Sequence, residues 1–343
     1  MSNLPKPLIH IGLPKTGSTF LQKSFQTSEN LYFLGRGVTA TMLDYLSPDI
    51  EIAAGIDLRF RRRANFDEEK FVNAFSHHLS NAAQQDRQVV LSSEFLGWST
   101  PDEIDMYEKV RRLGLAFPNG ANILMFIRDQ QSLLRSLYKE MVRQGFRKTF
   151  QEFISWLWDK QDRNFFHCLN FAKTRAIYEQ VFGAGSVFIL PYEFLREDPS
   201  VISETLNNII PEVSVNIEGG EASNQGFSDV RTSALRQLNC RYRHTLGRDY
   251  YSGWQDYFVP QYFSTELNSK VPVESLLDEN IRRLLVKISE TFDPSEEHRL
   301  DFHFPKKIES QLQKQFASFN DALSKALPFT LPSSYLATEA SQC

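Results

Sequence analysis

The segment Gly12-Leu13-Pro14-Lys15-Thr16-Gly17-Ser18-Thr19 holds residue types at a spacing that suits the binding of an anion. Its two glycines, five positions apart, let the backbone curl so that successive N–H groups point inward. A helical pattern beginning near Ser18 adds the positive end of its dipole. Ser18 and Thr19 bring hydroxyl donors and Lys15 a point charge. A nucleotide-hydrolysing loop of the form G-x-x-x-x-G-K-[ST] carries its lysine directly after the second glycine. Here Ser18 stands at that position, and Lys15 sits two residues before Gly17. A lysine so placed suits an oxygen bridging a phosphate and a group in transit.

Arg128 supplies a second anion ligand at the end of the apolar run Ala121–Ile127, with Ser136 eight residues further on in a helical pattern. The guanidinium fork matches phosphate, and a serine hydroxyl is a neutral donor. Glu94, closing the β-branched run QVVLSSE, is a candidate general base. Plainer roles are open to each: Arg128 paired with an acid such as Asp129, Ser136 solvated, and Glu94 a helix cap or ion-pair partner.

Positioning these residues needs strands that end together. Strand patterns are predicted at Leu8–Leu13, Asn30–Leu34, Gln88–Ser93, Ala121–Ile127 and Ser186–Leu190. Helical patterns fall near Phe66–Gln84, Pro101–Phe117 (capped by Thr100 or Asp102, with Glu103 in its first turn), Gln131–Gln144, Phe150–Trp158 and Leu169–Phe182. Short apolar strands alternating with helices predict a parallel sheet covered on both faces, with ligands at the carboxyl ends of the strands. Residues 212–226 read as a surface loop, and helices are expected at Asn280–Phe292 and Lys306–Leu327.

With 343 residues and 41% hydrophobic content, the chain has ample apolar surface for a core. The net charge of −4 argues against a general nucleic-acid partner. No secretory leader or transmembrane segment is read, and Cys168, Cys240 and Cys343 offer neither a disulfide framework nor zinc spacing. The expected setting is cytoplasmic, without a metal. No residue pattern specifies an oligomeric state.

The run IHIGLPKTGSTFLQ resembles the 5′-phosphosulfate loop of the sulfotransferase superfamily, usually written PK-T/S-G-T/S-T. Lys15, Thr16, Gly17, Ser18 and Thr19 fall on its 5′-phosphate positions, Ser18 replacing the commoner Thr. Arg128 and Ser136 are similar to the element that holds the donor's 3′-phosphate, although Gln130 stands where most members carry proline nearby. Glu94 resembles the base of glycan-type members, and Tyr192-Glu193-Phe194-Leu195 the Y-E-x-L continuation after a later strand, here read as structural. Asn224–Ser228, leading to Arg231, is similar to a nucleotide-side loop of bacterial members. The K-x-x-G-x-x-G loop of cytosolic small-molecule enzymes is absent.

The resemblance implies an α/β fold with a P-loop-type central parallel β-sheet flanked by helices. It implies one domain over 1–343, with a core at about 7–210 and a loop-rich, largely helical C-terminal part at about 211–330. The implied activity uses 3′-phosphoadenosine 5′-phosphosulfate (PAPS), without metal, to sulfate a hydroxyl of a carbohydrate, glycolipid or similar acceptor. Lys15 and Glu94 would be catalytic. Two alternatives remain open: a P-loop kinase or hydrolase, and an inactive PAPS- or PAP-binding protein.

For the acceptor, Trp98 is the first aromatic candidate, and Tyr250, Tyr251, Trp254, Tyr257 and Phe258 form a second group more simply read as packing. The basic run Arg59, Arg61, Arg62 and Arg63 reads as a solvated face or an anionic-glycan contact. His10 is expected in the core, and His77 and His78 solvated or packed.

Overall fold

The computed structural model describes residues 5–35, 37–38, 43–99, 103–143, 145–161, 164–210, 227–241, 283–296 and 299–336. The aromatic group from Tyr250 to Phe258, the 212–226 loop, Asn224 and Cys343 lie outside them. The described residues divide into two compact units. One falls within 1–130, 160–223 and 311–343, the other within 131–159 and 224–310.

The first unit is built on five parallel strands: β1 (Leu8–His10), β2 (Leu31–Phe33), β5 (Gln88–Ser92), β6 (Asn122–Ile127) and β7 (Val187–Pro191), in the order β2-β5-β1-β6-β7. A small antiparallel pair, β3 (Gly37–Val38) and β4 (Leu43–Asp44), stands apart. Central β1 pairs Leu8 with Val90 on one side and Asn122 on the other. The strands are mainly apolar on both faces, as expected of parallel strands buried by crossover helices, with His10, Gln88 and Ser92 as buried polar exceptions.

Side chains alternate along each strand and sort into two cores. One face gathers Leu8, Val90, Leu124, Phe126 and Leu190. It packs with Leu21 and Phe25 of α1 (Ser18–Thr27), Phe194 of α8 (Phe194–Glu197), and Ile202, Leu206 and Ile209 of α9 (Pro199–Ile209). The strand residues of opposite parity meet α3 (Glu68–Gln84) and α7 (Phe171–Phe182), and α4 (Met106–Ala116) packs on both of those helices.

Caps set these starts and that of the short α2 (Pro48–Ile50): Ser47 accepts from Ile50 N–H at 3.3 Å, Asp67 from Lys70 N–H at 3.0 Å, Asp105 from Glu108 N–H at 2.9 Å and Asn170 from Lys173 N–H at 3.0 Å. Helix α4 therefore begins at Met106, and Glu103 is outside its first turn; the expected caps Thr100 and Asp102, with Pro101, lie outside the described residues. The last long helix, α11 (Glu309–Ser324), presents Leu312, Phe316 and Leu323 to the interior.

In the second unit, helices α5 (Gln130–Arg143, Gln130 itself grouping with the first unit) and α6 (Phe150–Asp159) surround an aromatic cluster. The Tyr138 ring meets Phe146, Phe150, Phe153 and Phe302 at 5.5–6.1 Å. Helix α10 (Asp229–Arg241) contributes Asn239, whose amide donates to the carbonyls of Val142 and Phe146.

Candidate anion-binding site

The chain leaves β1 through a loop held in one shape by its own atoms. Lys15 and Gly17 have φ of 70° and 88°, both left-handed, which turns consecutive N–H groups to the same side. Thr16 Oγ1 donates to the Leu13 carbonyl at 2.6 Å. Gly12 has no room for a side chain: a Cβ there would lie 2.6 Å from Ser18 Oγ and 3.0 Å from His10 Nε2.

Ser18 is buried and its hydroxyl has no protein partner, so the loop encloses a donor that a ligand oxygen can satisfy. Helix α1 starts directly after Gly17 with no side-chain cap and no acidic residue in its first turn, leaving its positive end open. Thr19 is half-buried in the same turn, and Lys15 is exposed.

Beneath the loop, His10 Nδ1 lies 2.8 Å from Ser92 Oγ, which also accepts from Gln22 Nε2 at 3.2 Å. Complete burial pushes the His10 pKa from 6.5 down to about 3, so the imidazole is neutral. His10 is thus a core histidine, as its place in the first strand predicts. His78 is also packed, its ring nitrogens meeting Tyr32 Oη at 3.0 Å and Ser47 Oγ at 2.9 Å, whereas His77 is exposed.

The loop meets the ends of two further strands. Arg128, one residue past β6, donates from Nη1 to the Lys15 carbonyl at 3.2 Å and lies 5.0 Å above the Tyr192 ring. Gly17 packs on the other part of that neighbourhood, with Tyr192 and Leu195 side chains 3.4 Å from where a Cβ would stand. Arg128 and the loop are thereby joined at one sheet edge. Ser136 lies on α5, in the second unit.

Glu193 secures the chain after Arg128. Its Oε1 accepts from Asp129 N–H at 3.1 Å and its Oε2 from Tyr335 Oη at 2.8 Å. Burial raises the pKa of both Glu193 and Tyr335. Gln130, in place of the proline the resemblance implies, exchanges amide hydrogen bonds with Asn320 at 2.7 and 3.0 Å, and Asn320 also donates to the Tyr335 carbonyl. Tyr192 and Glu193 hold the framework, as the sequence suggests. Asn320 and Tyr335 carry no sequence signal, because their partners lie far away along the chain.

Glu94 opens a 3₁₀ turn, Glu94–Leu96, directly after β5, and is half-buried. This turn touches the anion loop through Gly97, where a Cβ would lie 2.5 Å from the Ile11 carbonyl oxygen and 2.9 Å from that of Gly12. Both atoms are backbone, so Gly97→Ala must push the two segments apart. We expect that substitution to destabilise the protein by about 1–3 kcal/mol and to weaken anion binding at the loop. Denaturant unfolding and titration with pyrophosphate check both effects; an unchanged midpoint and affinity would contradict the close approach.

Two acceptor-side expectations need correction. Trp98 is 4% exposed, with its ring 5.0 Å from that of Phe165, so it is a core residue and offers no open face. Arg59 does not belong to a solvated basic face. It is 3% exposed and donates from Nε and Nη2 to Glu103 at 3.1 and 2.8 Å. Arg61 pairs with Asp57. Arg231, the weak nucleotide-side candidate, pairs with Glu290 at 2.8 Å and covers the Phe227 ring.

Among the described residues, no group of three or more His, Cys, Asp or Glu could hold a metal, and no helix is long and apolar enough to cross a membrane. Cys168 is buried, its thiol pushed up to about 12 by burial.

Fold and site together define an α/β protein with a parallel sheet and, at the carboxyl end of its central strand, a loop that encloses the unpartnered Ser18 hydroxyl at an uncapped helix start. The chain matches no family model and no curated protein. Among solved structures it is similar to the sulfotransferase from Alicyclobacillus acidocaldarius, at 17% identity and a TM-score of 0.43, covering 72% of this chain and 98% of that one. A likeness at that level assigns no activity to this chain.

Proposed function

We propose that this chain is a PAPS-dependent sulfotransferase that moves a sulfo group to a hydroxyl of a carbohydrate, glycolipid or similar acceptor, in a cytoplasmic setting. The observation that carries the reading is the contact between Arg128 and the Lys15 carbonyl, which brings two cationic anion ligands to one sheet edge. The enclosed Ser18 hydroxyl and the open α1 terminus support a bound phosphosulfate there. The lysine sits inside the loop, away from the position a phosphate-hydrolysing enzyme needs.

On this reading Thr16, Gly17, Ser18 and Thr19 hold the donor's 5′ end and Arg128 its 3′-phosphate; Ser136 is proposed as a phosphate ligand on sequence resemblance alone. The acceptor oxygen forms its bond to sulfur as the bond from sulfur to the phosphate oxygen breaks. Glu94 takes the acceptor proton. The electron pair of the broken bond remains on the phosphate oxygen, where Lys15 stabilises it.

Calorimetry should show adenosine 3′,5′-bisphosphate binding about 10–100-fold more tightly than AMP, the scale of one or two charge-assisted hydrogen bonds. Arg128→Gln should remove most of that preference. Equal affinity for the two nucleotides would overturn the donor assignment. Label transfer from radioactive PAPS to a panel of glycans, glycolipids and phenols tests the reaction and acceptor class. Magnesium-dependent ATP turnover would favour a kinase or hydrolase, and bisphosphate binding without transfer an inactive binder.

A further inference from the structure

Behind the turn that carries Glu94 lies a buried charged cluster formed by residues from three separate stretches. Lys109 of α4 is fully buried. Its ammonium reaches Glu103 and donates to the carbonyls of Phe95 and Trp98, both at 2.8 Å. The other oxygen of Glu103 is held by Arg59, whose guanidinium also lies 3.2 Å from the centre of the Phe95 ring. Tyr178 of α7 donates to the Leu96 carbonyl at 2.8 Å. Ile104 N–H ties back to the Arg59 carbonyl at 2.7 Å.

A three-residue 3₁₀ turn cannot fix its own direction, and its inward carbonyls need donors. Burying an ammonium is a costly way to supply them, and apolar replacement of such a cluster is often neutral for stability. Its specific product is placement: side chains of α4 and α7 grip the carbonyls of Phe95, Leu96 and Trp98. On the opposite side, Gly97 rests on the backbone of Ile11 and Gly12.

We propose that the Arg59–Glu103–Lys109 cluster, with Tyr178, is a positioning device that holds the Glu94 turn against the anion loop and so sets the Glu94 carboxylate relative to Lys15. Lys109 and Tyr178 are positioning residues, touching no substrate and acting through the turn's carbonyls. The proposal rests on the reading of Glu94 as the base. It adds Lys109 and Tyr178 to that chemistry, from positions where the sequence shows only ordinary helical patterns.

Lys109→Met removes the donor while keeping much of the side chain's length, and leaves Arg59 and Glu103 as a neutral pair. Tyr178→Phe deletes a single hydroxyl, so it keeps the test available should the first variant fold poorly. Three readouts are compared with the wild type: adenosine 3′,5′-bisphosphate affinity, hydrogen exchange of the peptide spanning residues 93–99, and kcat at saturating acceptor.

In Lys109→Met, affinity should stay within about twofold, exchange at the turn should quicken by roughly tenfold or more, and kcat should fall by about 10–100-fold. Tyr178→Phe should move the same two readouts in the same direction by less. Unchanged exchange in both variants, or a kcat per nucleotide-binding site equal to the wild type, would overturn the proposal. A wild-type chain that binds the bisphosphate yet transfers no sulfo group would remove the base role, and with it the catalytic half of the proposal, whatever the exchange shows.

Discussion

Under the proposed chemistry, Lys15→Ala should lower kcat for sulfo transfer on the order of 10²–10³-fold while changing the acceptor KM little. The ammonium is assigned to charge that builds on the phosphate oxygen as the sulfur leaves, so its largest effect falls in the transition state. Arg128 grips the carbonyl of Lys15, which survives the substitution, so the arginine keeps its place. One confounder is the backbone, because residue 15 has φ of 70° and alanine is no more at ease there than lysine. Lys15→Gly separates the two effects: glycine accepts the left-handed conformation and lacks the charge. Equal losses in both variants assign the effect to the ammonium. A smaller loss with glycine assigns the difference to the loop's shape. Steady-state kinetics with labelled PAPS measures both, and an unchanged kcat would remove Lys15 from the step.

The placement of that lysine, its loop and Arg128 at one sheet edge was readable because each lies within a few residues of a strand end. In a parallel sheet the strand ends that follow apolar runs share one edge, so local pattern becomes spatial neighbourhood. The runs LIHIGL, QVVLSS, ANILMFI and SVFIL all became strands of one parallel sheet. Their lateral order was not readable, because pairing is decided by crossovers and not by the strands' own composition.

What stayed hidden has a common cause. Arg59 and Glu103 lie 44 positions apart, and Gln130 and Asn320 lie 190 apart. Each looks like a solvated polar residue until its partner is known, since burial is tolerable only through that partner. Trp98 misled for the opposite reason. Its nearness in sequence to Glu94 suggested an open aromatic, but the residues between them turn its ring inward onto Phe165. Helix α4 misled through its cap: Asp105 satisfies the Glu108 N–H, which starts the helix late and leaves Glu103 for the ion cluster.

Acid should destabilise this protein in part through His10, in a share that one variant can isolate. Burial lowers its pKa from 6.5 to about 3 in the folded chain, whereas the unfolded chain keeps the ordinary value. Between those limits the unfolded state binds more protons, so stability rises with pH there. The contribution is complete above about pH 6.5 and is lost as pH falls towards 3. Its slope is about 1.4 kcal/mol per pH unit, and its total roughly 3–5 kcal/mol.

Burial also lowers His78 and His167, which adds loss of the same sign, so the assignment needs a variant. His10→Asn keeps a polar atom within reach of Ser92 and cannot titrate. It should cost about 1–3 kcal/mol at pH 7.5 and flatten the stability curve between pH 6 and 4 by about 1 kcal/mol per unit. Urea unfolding at a series of pH values reads both quantities, and parallel curves for the two proteins would refute the assignment. The same experiment bears on the site. His10 Nε2 lies 3.0 Å from where a Gly12 side chain would start, so the ring that must stay neutral is also the floor of the anion loop. Loss of anion binding should therefore track the wild-type unfolding curve below pH 6.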